Sequence, residues 1–256
     1  MPRIVTYNVH RCVGNDRRLD VGRIADVLAS LKPDIVALQE LDVGRARTGG
    51  VDQAHEIASR LKMVSHFHAA VKVEEEQYGD AILTCFPERL VQAGPLPGYD
   101  RIRRLEPRGA LWVEVEVAGQ AVQIINTHLG LVPREQQIQA HWLAGETWLQ
   151  HPKRTGPTIL LGDFNATASS IVYRTLAGRL KAARGLAPKK SPTSTFPSPF
   201  PVLRIDHLFV SDEVRVLDVI APFSPLTRAA SDHLPLAMDF DLTRAEPSGV
   251  SIPRRT

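Results

Sequence analysis

Apolar residues follow two alternating periods along most of this chain. Ile4–Val9 is a short β-rich run, after which Ile24, Val27, Leu28 and Leu31 recur at helical spacing until Pro33 closes the segment. Ile35–Leu38 reads as a buried strand, and Ala54, Ile57, Ala58 and Leu61 as a second helical stripe. Leu111–Val117 and Ala121–Ile125 flank Ala118-Gly119-Gln120, which predicts a hairpin. Ile138, Trp142 and Leu149 predict a further helix, followed by a strand over Thr158–Leu161. Leu203–Val210, Val214–Ile220 and Leu234–Phe240 predict the closing strands. Helices set between strand pairs fit two sheets packed face to face with the helices outside.

Two stretches break the pattern: Pro95–Pro107, carrying Arg101, Arg103 and Arg104, and Pro188–Pro201, with five prolines. Neither is a linker, and no repeat is visible, so residues 1–243 are expected to form a single domain and 244–256 a flexible tail. At 256 residues, 43% hydrophobic and 23% charged, the chain can bury a sizeable core. No apolar run nears the roughly 20 residues that span a bilayer. Met-Pro-Arg leads straight into Ile4–Tyr7 with no signal-peptide pattern, so a cytoplasmic address is expected. Cys12 and Cys85 make no disulfide framework and no C-x-x-C pair, and read as small apolar filler. A net charge of +3 suits an anionic substrate but falls short of a nucleic-acid footprint.

The chemistry lies at the strand ends. Asn8 ends the first strand and Glu40 the second; Asn126 and His128 end another, and Asp163 and Asn165 follow Ile159–Gly162. Asp206 lies in Arg204-Ile205-Asp206-His207, and Asp232 and His233 in Ser231-Asp232-His233-Leu234. Singly, each is as well explained by turn capping or a surface hydrogen bond. Together, on strands lying side by side, they converge on one rim and supply carboxylates for a hard cation and imidazoles for proton transfer. The sparse oxygen set of Asn8 and Glu40 suits Mg²⁺ better than Zn²⁺, and neither H-E-x-x-H nor cysteine-rich zinc spacing is present. Glu106 and Asp206 are the spare acids that could partner the two histidines.

In order, the chain carries Thr6-Tyr7-Asn8-Val9, Leu38-Gln39-Glu40, Tyr78-Gly79-Asp80-Ala81-Ile82-Leu83, Glu106-Pro107-Arg108-Gly109 and Asn126-Thr127-His128-Leu129. Gly162-Asp163-Phe164-Asn165, Ile205-Asp206-His207 and Ser231-Asp232-His233 complete the set. This ordered set resembles the endonuclease/exonuclease/phosphatase superfamily, which includes pancreatic deoxyribonuclease, abasic-site endonucleases, sphingomyelinases and inositol-polyphosphate phosphatases. The resemblance spans residues 6 to 233. It implies a four-layer α/β/β/α sandwich of two mixed, mainly antiparallel sheets, with the site on one rim. It implies that Asn8 and Glu40 hold Mg²⁺ (or Mn²⁺), with Asp232 adding a ligand directly or through water. His233, oriented by Asp206, would act on the attacking water or bind the phosphate. His128, partnered by Glu106, would contact a phosphate oxygen. Asp163 and Asn165 would place nucleophile and phosphate, and Asn126 belongs to the same catalytic set. One departure stands out: many relatives have Asn where this chain has Asp80, which reads as structural.

Fold does not choose substrate; loops do. Arg104 and Arg108 are candidate phosphate-binding residues, and Lys189 and Lys190 extend the basic loops. Aromatics at 6% and a near-neutral charge do not favour a dedicated duplex binder. Phe196 and Phe200, on the proline-rich loop, could line the entrance, touch a membrane surface or pack over the sheet edge. The expected activity is therefore hydrolysis of a phosphodiester or phosphomonoester of a small or lipid-linked substrate by a monomer. A DNA or RNA nuclease is the alternative, and a non-catalytic phosphate-ligand binding module the alternative of another class.

Overall fold

Strands with apolar residues at every position can be stable only when both faces are covered. Ile4 and Ile35 turn to one face, Val5 and Val36 to the other, and all four are fully buried. The chain, described by a computed structural model over residues 1–102 and 104–243, covers both faces by layering. Arg103 and the tail expected at 244–256 lie outside the described residues.

The first half of the chain runs β1 (Arg3–Asn8), α1 (Val21–Leu31), β2 (Ile35–Val43), α2 (Gln53–Leu61), β3 (Val64–Val73), β4 (Glu76–Thr84), β5 (Glu88–Pro95) and β6 (Gly109–Val117). Then come β7 (Gln120–His128), α3 (Pro133–Leu143), β8 (Thr158–Asp163), α4 (Ile171–Ala177), β9 (Lys181–Ala182) and α5 (Ala183–Leu186). β10 (Asp206–Val210), β11 (Val214–Ile220), α6 (Pro225–Ala230) and β12 (Leu236–Leu242) close the chain. Two six-stranded sheets result, ordered β11-β12-β1-β2-β4-β3 and β5-β6-β7-β8-β10-β9. Each holds one parallel pair, β1 with β2 and β7 with β8, among antiparallel neighbours.

Three cores separate the layers. Ile4, Ile35, Ile82, Leu111, Val113 and Leu161 fill the space between the sheets. Val5, Tyr7 and Val36 pack against Ile24, Leu28 and Ile57 of α1 and α2. Trp112, Ile125 and Leu160 pack against Ala140, Leu143 and Leu176 of α3 and α4. This is the four-layer α/β/β/α arrangement. The helix ends follow local chemistry: Asp20 and Asp52 cap α1 and α2 by accepting from Arg23 and His55 amides. Lys32 and Lys62 close them in the left-handed conformation.

Three expected boundaries shift. α3 ends at Leu143, so Leu149 lies beyond it, and Trp142 is exposed. The buried face of α3 carries Gln136 and Gln139, whose amides bond Gly130 and the carbonyl of Asn165. A helix packed partly against polar loop backbone shows an incomplete apolar stripe, so periodicity misjudged its end and its buried face. β10 begins at Asp206 because Leu203 instead bridges Phe196. β12 begins at Leu236 because the Leu234 amide donates to Thr195. Cys12 is buried as expected, but Cys85, just past β4, is exposed.

Candidate active site

Parallel strands joined by a helical crossover end on the same sheet edge. β1 and β2 therefore deliver Asn8 and Glu40 to one rim, and β7 and β8 deliver His128 and Asp163 as direct cross-strand partners. Antiparallel β10 begins where β8 ends, which sets Asp206 opposite Asp163. Two local features aim these side chains. The β2–β4 register shifts between Leu38 and Leu41, and Glu40 inside this bulge adopts φ 61°. Gly162 adopts φ 146°, and a Cβ there would lie 1.8 Å from the Thr127 carbonyl, so only glycine lets β8 approach β7.

Asp163 is the hub. Its Oδ2 accepts from Asn8 Nδ2 at 3.0 Å and faces His128 Nε2 at 3.5 Å and His233 Nε2 at 3.7 Å. Its Oδ1 accepts from the Asn165 amide. Asn8 Nδ2 donates also to Glu40 Oε1 at 3.0 Å, while Asn8 Oδ1 accepts from the His10 amide. His233 Nδ1 meets Asp206 Oδ2 at 2.9 Å, and Thr195 Oγ1 donates to the same oxygen. Ser231 Oγ donates to the Asn8 carbonyl, tying the His233 loop to the end of β1.

Burial makes this cluster electrically tense. Burial, and then Asp206 opposite, lift the Asp163 carboxyl to about 7. Burial also raises Asp80 to about 8, against the attraction of Arg108 and with Glu40 and Asp163 adding to the rise. For His233, burial pushes the imidazole down, but Asp206 and Asp163 outweigh it and lift it to about 10. His128 goes the other way: burial, then the Arg108 charge, hold it well below the usual histidine range. Glu40, Asp80, Asp163 and Asp206 thus crowd four carboxyls into one rim. Burial raises two of them, and a rim of carboxyl oxygens is the donor set that an oxygen-ligated divalent cation takes. Ligand atoms of Asp163, Asp206 and His233 also lie within 4.8 Å of one another, close enough to hold a metal ion.

Most of the residues expected from the sequence meet here: Asn8, Glu40, His128, Asp163, Asn165, Asp206 and His233. Asn126 does not. It is fully buried beneath the rim, accepting from Gln39 and donating to the Leu38 and Ala81 carbonyls, so its amide is spent on joining the two sheets. Glu106 does not partner His128 either. It is half exposed and pairs with Arg108 at 2.9 Å, and it is Arg108 Nη1 that meets His128 Nδ1 at 3.0 Å. Arg104 is exposed on its loop, and among the described residues no hydrogen bond or ion pair ties it to the site. Asp232 lies at the edge, its carboxylate 3.9 Å from His10 Nδ1. Asp80 is buried beside the rim, where burial holds its carboxyl up at about 8. Phe196 turns inward, its ring centroid 4.9 Å from that of His233, while Phe200 is 76% exposed. Thr195, Ser231 and Gln136 escaped the sequence reading because a lone hydroxyl or amide has no spacing signal.

The chain matches the endonuclease/exonuclease/phosphatase family over residues 5–233. It is 25% identical over 259 residues to the uncharacterised protein YbhP of Escherichia coli K12, covering 94% of this chain and 96% of that protein. Its fold is shared by the mannosyl-6-phosphatase Bt3783 of Bacteroides thetaiotaomicron, at a TM-score of 0.76 and 18% identity, covering 94% and 100% of the two chains. It is shared also by the human Nocturnin catalytic domain with bound sulfate, at 0.69 and 20%, covering 94% of each. The chain therefore belongs to the endonuclease/exonuclease/phosphatase family, a group of hydrolases acting on phosphoester bonds.

Proposed function

We propose that this chain is a Mg²⁺-dependent phosphohydrolase that cleaves a phosphomonoester or phosphodiester of a small or lipid-linked substrate. The observation that carries this is the buried Asp163 carboxylate, with Asn8, His128 and His233 within 3.0–3.7 Å of one oxygen. Asn8 and Glu40 would hold the ion, with Asp232 at the edge of the same rim, and Mn²⁺ would serve the same ligands. When bound, the ion supplies Lewis-acid polarisation of a phosphoryl oxygen and a more acidic water.

The rest of the chemistry belongs to the side chains. Asp163, lifted to about 7, stands near neutral pH and takes the proton of the attacking water. His233, held as the imidazolium by Asp206, offers its Nε2–H to a phosphate oxygen. Asn165, fixed through its own carbonyl by Gln136, offers its side-chain amide to another. Phe200 and Val202, 76% and 74% exposed on the loop whose Phe196 covers His233, support a lipid-linked substrate reaching the site from an apolar surface. A nuclease reading draws less support, since among the described residues no hydrogen bond or ion pair ties Arg104 to the site.

The test is turnover of p-nitrophenyl phosphate and bis-p-nitrophenyl phosphate with Mg²⁺ or Mn²⁺, with and without EDTA. A panel of plasmid DNA, abasic DNA, RNA, phosphatidylglycerol, sphingomyelin and inositol phosphates at fixed salt follows. His233→Ala, Asp163→Asn and Glu40→Gln should each cost at least about a hundredfold in turnover. Absence of metal-dependent turnover across the panel sinks the enzymatic reading and leaves a binding module. Plasmid nicking far faster than lipid hydrolysis reverses the substrate order.

A further inference from the structure

The two histidines of the site face the same Asp163 oxygen, yet their other nitrogens meet opposite partners. His233 Nδ1 meets the Asp206 carboxylate, an acceptor. His128 Nδ1 meets Arg108 Nη1 at 3.0 Å, and a guanidinium carries donors only. Nδ1 of His128 must therefore present its lone pair, and a neutral ring then carries its proton on Nε2. That Nε2 lies 3.1 Å from Asn165 Nδ2, which is itself a donor because it also bonds the Leu129 carbonyl. Two N–H groups thus face each other beside Asp163: Asn165 Nδ2 spends its other N–H on the Leu129 carbonyl, and Asp163 Oδ2 stands 3.5 Å from His128 Nε2, long for a hydrogen bond. The His128 ring is 3% exposed, so water solvates it poorly.

The alternative tautomer would let Asn165 donate to Nε2 but would press an Nδ1–H against a buried cation. A charge-assisted bond outweighs a neutral one, and Arg108 is 7% exposed with its Nη1 shared between His128 and Glu106.

We propose that Arg108 is a positioning residue that locks His128 as the neutral Nε2–H tautomer. His128 and Asn165 then form a paired-donor seat for one phosphate oxygen, and His128 transfers no proton. The seat's use rests on the phosphohydrolase reading above, whereas the tautomer does not. Proton transfer is left to Asp163.

Long-range ¹H–¹⁵N correlation spectra of the whole protein at pH 7.5, without and with Mg²⁺, read the tautomer directly. His128→Gln assigns the His128 signals by their loss. The wild-type ring should show Nε2 protonated and Nδ1 bare, and Arg108→Met should abolish that pattern in favour of Nδ1–H or tautomer exchange. A wild-type Nδ1–H or doubly protonated ring overturns the proposal, and that spectrum decides even if Arg108→Met fails to fold. For the role, His128→Gln, which keeps a donor, should stay within about tenfold of wild type on p-nitrophenyl phosphate. His128→Ala should lose about a hundredfold, by the same factor on an alkyl phosphate, as expected for a lost oxyanion donor. Glutamine failing as badly as alanine, or a larger alanine loss on the alkyl ester, makes His128 a proton donor and overturns the proposal. Should no phosphoester be turned over, the functional reading falls while the spectrum still settles the tautomer.

Discussion

His207 stands one residue from Asp206 in the same short motif, yet it turns away from the site. Its Nε2 donates to the Ala166 carbonyl at 2.7 Å, and its ring lies among Phe164, Tyr173 and Phe209. Burial holds this imidazole down at about 4, below its ordinary 6.5. The unfolded chain therefore binds a proton that the folded chain refuses between those two values. Stability contributed by neutral His207 is complete above about pH 6.5 and is lost as pH falls toward 4. A shift of this size corresponds to on the order of 3 kcal/mol. Urea midpoints of wild type should thus fall from pH 7.5 to 5 more steeply than those of His207→Gln, and parallel slopes would refute this. At this scale the sequence names which residues carry chemistry but not which way each points. Asp206 and His207 alternate faces because successive strand side chains do.

Among the elements, the joint between β7 and the opposite sheet is the most exposed to a single change. Asn126 on β7 reaches across to the carbonyls of Leu38 on β2 and Ala81 on β4, and accepts from Gln39. Gln39 in turn bonds Thr6 of β1. Truncating Asn126 takes the side-chain donor from two buried carbonyls, each worth about 1–3 kcal/mol of lost solvation, while Gln39 keeps Thr6 and the Ala37 carbonyl. Asn126→Ala should lower stability by on the order of 3 kcal/mol or more, read as an earlier urea midpoint without a change in slope. A near-wild-type midpoint would show that water replaces the amide. The apolar strands, both N-terminal helices and the β6–β7 hairpin were legible because their burial imprints a period. α3 was legible as a helix, but its end and its buried face were not, because part of the surface it covers is polar loop backbone that glutamine amides satisfy.

For the molecule as a whole, the two sheets repeat one device: a helix-linked parallel pair whose strand ends carry the polar residues. Their face-to-face packing gathers Glu40 and Asp80 from one sheet with Asp163 and Asp206 from the other. A cation that neutralises this cluster binds the folded state alone. Saturating Mg²⁺ at a hundred times its dissociation constant should add about 2.7 kcal/mol, or roughly 5–10 °C in Tm for a chain of this size. Glu40→Gln should shrink that shift, and EDTA should remove it in the wild type. An unchanged Tm across Mg²⁺ concentrations would argue against a bound ion. The sequence by itself determined the layered α/β class, most of the elements and the residues of the rim, because burial periodicity and strand-end chemistry are written locally. Only the tertiary structure decided that Arg108 and not Glu106 stands beside His128, that Asn126 joins the sheets, and that Phe196 covers His233. Those are contacts between residues distant in the chain. They depend on how bulges, loops and sheet packing aim side chains, and no local pattern encodes that.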